Sequence, residues 1–231
     1  MNITILTLFP EFFNGPFNVS MLKRAREMGL LHIRIENIRD YARGKHSQVD
    51  DRPYGGGPGM VLKPEPLLAA IRKVRTDNSR VVFLSPQGKP FQSQIAKEFV
   101  TYEHLILLCG HYEGIDQRVL EEIDIELSVG DFVLTSGCPA AVLVVDAVAR
   151  FIPGVLGHPL SAKRDSFEEK GYLGAPKYTR PAVFEGKKVP SVLLSGDHKK
   201  IDEWNQQQSY EKTKRIRPEL LLGEVTATKV S

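Results

Sequence analysis

The stretch spanning residues 104–150 constrains the fold of this chain more than any other part of the sequence. An apolar run at 105–109 stops at Gly110, and two shorter apolar runs, at 123–127 and 132–134, lead into further glycine-bearing turns. Buried strands that end in such turns are typical of a sheet whose strand ends line one crevice. Glycine lets the backbone approach a ligand closely, so that free N–H and C=O groups can bind its edges. One such turn is an ordinary strand-to-helix connection, but three in this span favour a small-molecule site.

The rest of the N-terminal part alternates strands with helices. Strict alternation of apolar and polar residues predicts a half-buried strand at 32–38, and apolar residues at 3–4-residue spacing predict a helix at 19–30. Further strands are expected at 2–9 and 80–84, and further helices at 64–74, 93–100 and 139–151. This order predicts an α/β fold with a largely parallel sheet covered by helices on both faces.

The composition changes after residue 151. Residues 153–181 are rich in glycine, proline and charge, which is typical of a linker or mobile loop. Helices are expected at 195–207, capped by Asp197, and at 209–215 and 218–222. A tail this small buries little surface alone, so we expect it to dock on something else. We predict a core domain at 1–160, a linker at 161–176 and a small C-terminal helical domain at 177–231.

Composition restricts the classes of protein to which this chain can belong. Two cysteines, Cys109 and Cys138, are too few for a disulfide framework, and their apolar surroundings favour reduced cytosolic thiols. Without a leader sequence or an apolar run of membrane-spanning length, we expect a cytoplasmic protein with no membrane partner. The net charge of +3 is compatible with a polyanionic partner without requiring one.

Two common motifs are ruled out. The glycine-rich run at 55–59 is not a phosphate-binding P-loop, because no Gly-Lys-Ser/Thr follows it and the preceding strand is far away. No G-x-G-x-x-G follows the first strand, which disfavours a dinucleotide-binding fold. The histidines lack metal-ligand spacing, so we predict no metal site from them and assign them surface or hydrogen-bonding roles. The long polar loop at 39–63 is of a length that is usually functional or disordered.

Arg150 and Asp165 are the most informative candidates for chemistry. Arg150 ends an almost wholly apolar helix, where it either pairs with Asp146 one turn earlier or offers its guanidinium to a ligand. Asp165 lies in the linker region, where it either caps a short helix or presents a carboxylate on a loop that can close. A fixed guanidinium and a carboxylate on a closing loop together are what proton abstraction from an amide-like N–H requires.

Several longer motifs follow one another along the chain. They are PYGGGPGMVLKPEP (53–66), LSPQGKPF (84–91), GHYEGID (110–116), SVGDFVLTSG (128–137), DAVARFIPGVLGH (146–158), DSF (165–167), YTRP (178–181), VPSVLLSGDH (189–198) and RPELL (217–221). With these motifs the chain resembles the bacterial tRNA (guanine-37-N1) methyltransferases of the TrmD type, in the SPOUT superfamily. The resemblance runs from residue 1 to about residue 222.

The resemblance implies a SPOUT-type parallel sheet with a deep trefoil knot, a topology that ordinary βαβ connections do not predict. It implies S-adenosylmethionine bound in a bent form in the knot. It also implies an obligate homodimer in which Asp165 and the tail of one subunit complete the site of the other. The cofactor contacts implied by position are Leu84, Ser85, Pro86, Gln87, Gly110, Tyr112, Glu113, Ser128, Val129, Gly130, Asp131, Phe132, Val133, Leu134, Ser136 and Gly137.

The reaction implied by the resemblance is methylation of N1 of guanine 37 in tRNA, on the 3′ side of the anticodon. Asp165 is then the general base that takes the N1 proton, and Arg150 stabilises the charge that grows on O6. Ser166 is implied to orient Asp165 or the guanine. For the target base the implied contacts are Tyr54, Pro58 and Met60. For the RNA backbone our candidates, as a group, are Arg24, Arg26, Arg43, Lys45, Arg52, Lys212, Lys214 and Arg215.

The sequence departs from the family pattern at one functional place. Where the family has Gly-Gly-Glu-Leu-Pro-Ala, this chain has Ser136-Gly137-Cys138-Pro139-Ala140-Ala141. A serine beside the cofactor either adopts the same backbone angles or shifts the loop. The missing carboxylate at Cys138 puts cofactor affinity in doubt, together with any requirement for magnesium.

Three alternatives stay open on the sequence. A related SPOUT enzyme that methylates a ribose hydroxyl is disfavoured by Asp165, because that reaction need not deprotonate a base. A non-catalytic RNA-binding module with the same fold is compatible with the changes at Ser136 and Cys138. A nucleotide-phosphate enzyme that uses the glycine run at 55–59 is disfavoured by the lack of a P-loop.

Overall fold

The computed structural model describes residues 1–44, 47–157, 165–168 and 171–221. The chain divides into two compact units, residues 1–157 and residues 158–231. Lys45, His46 and His158, together with parts of the predicted linker, lie outside the described residues.

The first unit alternates strands and helices, as predicted. Its strands are β1 (Asn2–Thr7), β2 (His32–Asn37), β3 (Asp50–Asp51), β4 (Val61–Leu62), β5 (Ser79–Pro90), β6 (His104–Cys109) and β7 (Ile125–Ser128). Its helices are α1 (Ser20–Glu27), α2 (Pro64–Val74), α3 (Ser93–Phe99) and α4 (Cys138–Ala149). Short 3₁₀ helices lie at Pro10–Phe13, Pro16–Asn18, Ile38–Tyr41 and Gln117–Glu122.

Five strands form one parallel sheet in the order β2-β1-β6-β5-β7. Asn2 pairs with His32 on one side and with His104 on the other, and His104 pairs with Ser79, so four strands begin at one level. Their carboxyl ends therefore meet at the opposite edge of the sheet. The predicted α/β fold with a parallel sheet is confirmed.

Alternate strand residues enter two separate cores. Ile5 and Leu107 belong to a buried cluster that includes residues of α1, α3 and α4. Leu6 and Ile106, one position away, belong to a second cluster that includes residues of α2. Because successive side chains of a strand point to opposite faces, helices cover both faces of this sheet.

The predicted strand at 132–134 is wrong. Bends follow β7, and the exposed fractions of Phe132, Val133 and Leu134 are 54%, 83% and 39%. A three-residue apolar run cannot distinguish a buried strand from an apolar loop beside a cavity. Here these residues form the wall of a cavity instead of entering the core.

The long polar loop predicted at 39–63 has some structure of its own. Within it, the antiparallel strands β3 and β4 pair, with Asp50 opposite Leu62. Residues 52–60 form the tip of this hairpin-like loop, and they include the glycine run at 55–59.

The second unit is a small α/β arrangement in its described part. It contains an antiparallel hairpin, β8 (Val183–Phe184) with β9 (Lys187–Lys188), a 3₁₀ helix at Ser191–Leu194 and helix α5 (His198–Ile216). Asp197 caps α5 as predicted, because its Oδ1 accepts the Lys200 N–H at 3.2 Å. The two helices predicted at 195–207 and 209–215 are one, since no glycine or proline interrupts α5. Residues 219–221 are also helical.

Candidate functional site

The carboxyl ends of β6 and β7, together with residues 83–87 of β5, surround a cavity of about 400 Å³ in the first unit. This volume is in the range of pockets that hold small organic ligands. Its walls come from residues 83–87, 110–115, 126–130 and 132–137. The glycine-bearing turns singled out in the sequence therefore meet at one edge of the sheet, where ligands of parallel α/β folds usually bind.

Every residue implied as a cofactor contact lines this cavity except Asp131, which is exposed and outside the lining. Further lining residues were not predicted, namely Phe83, His111, Gly114, Ile115, Gln117, Leu120, Glu126, Leu127, Thr135 and Ala140. Most of these flank predicted residues in the same segments. Gln117 and Leu120 belong to a 3₁₀ helix after the β6 turn, and the sequence carries no signal that points them at a ligand.

The floor of the cavity is a close backbone contact between the β6 turn and the start of α4. The Gly137 N–H donates to the Gly110 carbonyl at 2.8 Å. A Cβ atom on Gly137 would lie 2.8 Å from the Cys109 Cα atom, although its φ of −72° suits any residue. Gly137 is therefore required by close approach and not by its backbone angles. Ser136, at the position where the resemblance implies a glycine, has no left-handed φ and forms a β-bridge with His111.

The β5 wall of the cavity is a bulge. Leu84 and Lys89 both pair with Leu127 of β7, so residues 85–88 are looped out toward the cavity. A side chain on Gly88 would collide with the backbone of Glu126 and Leu127. This bulge frees backbone groups at the rim of the sheet, where they can bind a ligand.

Two residues of the β6 turn have unusual settings. Tyr112 has a φ of 57°, a left-handed conformation that non-glycine residues adopt at a cost and often at functional sites. Next to it, the Nδ1 atom of His111 is buried without a hydrogen-bond partner among the described residues. The His111 ring packs edge-on against Phe9 and Tyr112, at centroid distances of 4.9 and 4.2 Å. An unpaired buried ring nitrogen in a cavity wall is a polar group to which a ligand can bind.

The two cysteines lie directly behind the cavity floor. Both are buried, and the Cys138 Sγ atom is 3.2 Å from the Thr7 hydroxyl. Hydrogen bonds from Cys109, Thr7 and Ser136 lower the pKa of Cys138, whereas burial raises the pKa of the Cys109 thiol well above its ordinary value. Cys138 is buried and is not among the residues that line the cavity, so its thiol does not take the place of a carboxylate there.

The tip of the 52–60 loop is attached to the wall of the cavity. The Glu113 N–H donates to the Met60 carbonyl at 3.0 Å, and the Leu62 N–H donates to the Gly114 carbonyl at 3.0 Å. A side chain on Gly59 would collide with the Glu113 side chain. Tyr54 and Pro58 are exposed at the tip of the loop, and Met60 is half-buried at its base. The loop predicted to hold the substrate base is thus tied by backbone hydrogen bonds to the turn predicted to hold the cofactor.

The chain matches a family model described as tRNA (Guanine-1)-methyltransferase TrmD over residues 1–223. The chain belongs to this family. It is 57% identical over 222 residues to a Protochlamydia amoebophila protein named tRNA (guanine-N(1)-)-methyltransferase, with 96% of this chain and 100% of that protein covered. A protein of the same name from Dictyoglomus turgidum is 50% identical over 221 residues, covering 96% and 90%. Another from Chlamydia pneumoniae is 54% identical over 224 residues, covering 96% of this chain and 62% of that protein.

Arg150 of this TrmD-family chain is the C-cap residue of α4, and its side chain is exposed. The neighbouring positions Val148 and Ala149 are buried in the core, so packing of α4 fixes the backbone of Arg150. The packed end of α4 therefore fixes the point from which the Arg150 side chain extends.

Asp165 and Ser166 belong to the second unit, in a turn spanning residues 165–168. Asp165 is exposed, and the Ser166 Oγ atom accepts the Gly174 N–H at 2.9 Å. Phe167 has a φ of 72°, and its N–H donates to the Tyr172 carbonyl at 2.7 Å. Two hydrogen bonds thus hold the turn that carries the Asp165 carboxylate.

The cationic side chains predicted to contact RNA differ in their hydrogen bonding and exposure. Arg26 donates to the Phe17 carbonyl and the Asn18 side chain, and the Lys212 Nζ atom donates to the Gly174 carbonyl at 3.4 Å. The other described candidates, Arg24, Arg43, Arg52, Lys214 and Arg215, are exposed.

Among the described residues, no group of three or more His, Cys, Asp or Glu side chains comes together as metal ligands. No helix in the described ranges is long and apolar enough to cross a membrane.

Proposed function

We propose that this chain is an S-adenosylmethionine-dependent methyltransferase that modifies N1 of guanine 37 in tRNA. The observation that carries the proposal is the cavity at the strand ends, whose lining includes nearly every residue implied as a cofactor contact. Membership of the TrmD family, whose relatives are named tRNA (guanine-N(1)-)-methyltransferases, supports the reaction class. Because its substrate would be tRNA, we place the enzyme in the cytoplasm.

The cavity fits S-adenosylmethionine in size and in chemistry. It offers the free backbone groups of the β5 bulge, the glycine turns at Gly110 and Gly130, and the apolar side chains of Leu84 and Leu134. A purine ring needs backbone donors and acceptors along its edge and apolar side chains against its faces, and these segments provide both. When bound, the cofactor supplies an electrophilic methyl group.

Asp165 and Arg150 carry the proposed proton transfer. Guanine N1 is nucleophilic only after it loses its proton, which the Asp165 carboxylate would accept as general base. The negative charge that then develops on O6 would be stabilised by the Arg150 guanidinium, an interaction that strengthens toward the transition state. Ser166 belongs to the same turn and would help to hold Asp165. Holding both reactants in line would supply much of the remaining rate enhancement.

The tip of the 52–60 loop and the exposed cations are the proposed RNA-binding surface. Tyr54, fully exposed at 102%, has an aromatic face on which a base can stack. Arg52 lies two residues away on the same tip, where it can meet a phosphate. We extend this surface to Arg24 and to Lys214 and Arg215 of α5.

We also propose a knotted homodimer with the domain limits 1–160, 161–176 and 177–231. The close backbone packing at Gly88 and Gly137 is what a chain threaded through its own loop would need. Leu143 on the apolar helix α4 is 45% exposed, and a second copy of this chain would cover its side chain. In such a dimer, Arg150 of one subunit and Asp165 of the other would form each site.

Labelled S-adenosylmethionine and tRNA transcripts that carry or lack guanine at position 37 test the reaction. We expect label in the RNA only when guanine 37 is present. Transfer that is indifferent to this base, or no transfer at all, would reject the proposal.

Mixed dimers test the shared site. Arg150→Ala and Asp165→Asn chains should each be nearly inactive alone. A mixture that exchanges subunits should regain activity, because one of the two sites in a mixed dimer is then intact. If mixing restores nothing although subunits exchange, Arg150 and Asp165 act from the same chain.

A further inference from the structure

Helix α5 holds the segment that carries the Asp165 turn, through two hydroxyl side chains on one of its faces. The Thr213 Oγ1 atom accepts the Leu173 N–H at 2.9 Å, and the Ser209 Oγ atom donates to the Leu173 carbonyl at 2.5 Å. Ser209 and Thr213 are one helical turn apart, so their hydroxyls lie on the same face. Both polar groups of one backbone residue are thereby bound by side chains.

Residues 172–174 connect this face of α5 to the Asp165 turn. The Tyr172 carbonyl accepts the Phe167 N–H at 2.7 Å, and the Gly174 N–H donates to Ser166 Oγ at 2.9 Å. In an extended segment the backbone groups of successive residues point to opposite sides. Leu173 therefore bonds to α5, whereas its two neighbours bond to the turn.

The contact between α5 and Leu173 involves a fully buried hydroxyl of the second unit. Thr213 is 0% exposed, the one described buried polar residue of α5. Its hydroxyl also donates to the Ser209 carbonyl at 2.7 Å, which orients its lone pairs toward Leu173. Tyr172 packs edge-on against Tyr210 of α5 at a centroid distance of 6.1 Å. A buried hydroxyl that is fully hydrogen-bonded sets its partners in one geometry.

We propose that Thr213 and Ser209 are positioning residues for Asp165, acting through Leu173 and the Ser166 hydrogen bond. The inference rests on the proposed role of Asp165 as general base. Neither hydroxyl touches the reacting atoms. Their effect is to place a carboxylate on an exposed turn, where a shift of about 1 Å can cost roughly 100-fold in rate.

Four variants of α5 test this proposal. Thr213→Val keeps the shape but removes the acceptor for Leu173, and Thr213→Ser keeps that acceptor. Ser209→Ala removes the second hydrogen bond and favours the helix. The matched control is Gln206→Ala, at an exposed position on the same helix. We expect single-turnover methyl transfer to fall about 10- to 100-fold in Thr213→Val. It should fall less in Ser209→Ala and change within about twofold in Thr213→Ser and Gln206→Ala, because both keep the Leu173 contacts.

A double-mutant cycle with Asp165→Asn separates positioning from general destabilisation. Thr213→Val should cause no further loss in the Asp165→Asn background, and the affinity for S-adenosylmethionine should be unchanged in every variant. Wild-type transfer in both Thr213→Val and Ser209→Ala would overturn the positioning role. Equal losses in both backgrounds, or a parallel loss of cofactor affinity, would overturn it as well. Full activity of Asp165→Asn alone would instead reject the proposed base.

Discussion

The cavity at the strand ends and the Asp165 turn are held in place by different kinds of interaction. The cavity floor and its β5 wall depend on backbone packed against backbone, at Gly137 and at Gly88, with no room for a Cβ atom. The turn is held by single hydrogen bonds, from Gly174 to Ser166 and from Phe167 to Tyr172. Close-packed backbone is rigid, whereas hydrogen bonds of about 1 kcal/mol each can be exchanged for others.

This difference suits the two proposed tasks. A methyl donor has one shape in every reaction cycle, so a rigid cavity lowers the cost of binding it. The Asp165 carboxylate, as general base, must approach a large RNA substrate and then move away so that the product is released. A turn held by a few hydrogen bonds allows this movement. The variants described below separate the two regions, beginning with the largest expected effect.

Asp165→Asn should lower methyl transfer by about 10²- to 10⁴-fold, because a general base contributes in that range. Affinity for S-adenosylmethionine, measured by calorimetry, should stay at the wild-type value since the cavity belongs to the first unit. If cofactor affinity fell together with the rate, the two regions would not be separable.

Gly137→Ala should weaken S-adenosylmethionine binding by about 10- to 100-fold, the cost of overpacking by one methyl group. The added Cβ atom would lie 2.8 Å from the Cys109 Cα atom, and either the β6 turn or α4 must shift. Gly15→Ala is the matched control, because a Cβ atom there meets nothing within 4 Å. Unchanged affinity for S-adenosylmethionine in Gly137→Ala would show that the β6 turn or α4 can shift without weakening cofactor binding.

Ser136→Gly, which introduces the residue implied by the resemblance, should change cofactor affinity by no more than about fivefold, because one weak hydrogen bond is lost. Ser136 has no left-handed φ, and its Oγ atom accepts the Cys138 N–H at 3.3 Å. Equilibrium binding of S-adenosylmethionine to both proteins measures the difference. A larger change in either direction would mean that this serine does shift the loop.

The smallest effect is expected at the opposite edge of the sheet, at His104. Its ring bonds to the hydroxyls of Thr4 at 2.9 Å and Ser79 at 2.8 Å, and burial followed by the Arg34 charge lowers its pKa below 6.5. The unfolded chain therefore binds the proton more readily, and the free energy of unfolding should decrease as pH falls below 6.5.

Urea unfolding at pH 7.5 and pH 5.5 measures this dependence. In His104→Gln the decrease should be smaller, because no imidazole is left to protonate. Cofactor affinity at pH 7.5 should not change, since His104 lies far from the strand ends along β6. An identical pH dependence in both proteins would show that His104 contributes nothing to it.

Local patterns were sufficient to predict the parallel sheet and the cavity edge. The apolar runs at 105–109 and 123–127 locate the ends of β6 and β7 to within one residue, and α2 has the predicted bounds of residues 64–74. The strand predicted at 132–134 was wrong because a run of three apolar residues is compatible with either a buried strand or a cavity wall.

The Leu173 contact with α5 could not be predicted. It joins residues 36 to 40 positions apart through hydroxyls, and serine and threonine on a helix carry no sign of their partners. Likewise, nothing local shows that Gly137 packs against Cys109, because the contact depends on the tertiary crossing of β6 and α4. The resemblance to the family located Asp165 and Arg150, and their roles stay predictions.

The central claim is that this chain removes a proton from a guanine ring nitrogen and methylates that atom. Nucleoside analysis of tRNA methylated by the purified protein, after complete digestion and mass spectrometry, tests it most directly. The account predicts 1-methylguanosine from position 37 as the product. A methyl group on a ribose oxygen, or on any other base atom, would contradict it.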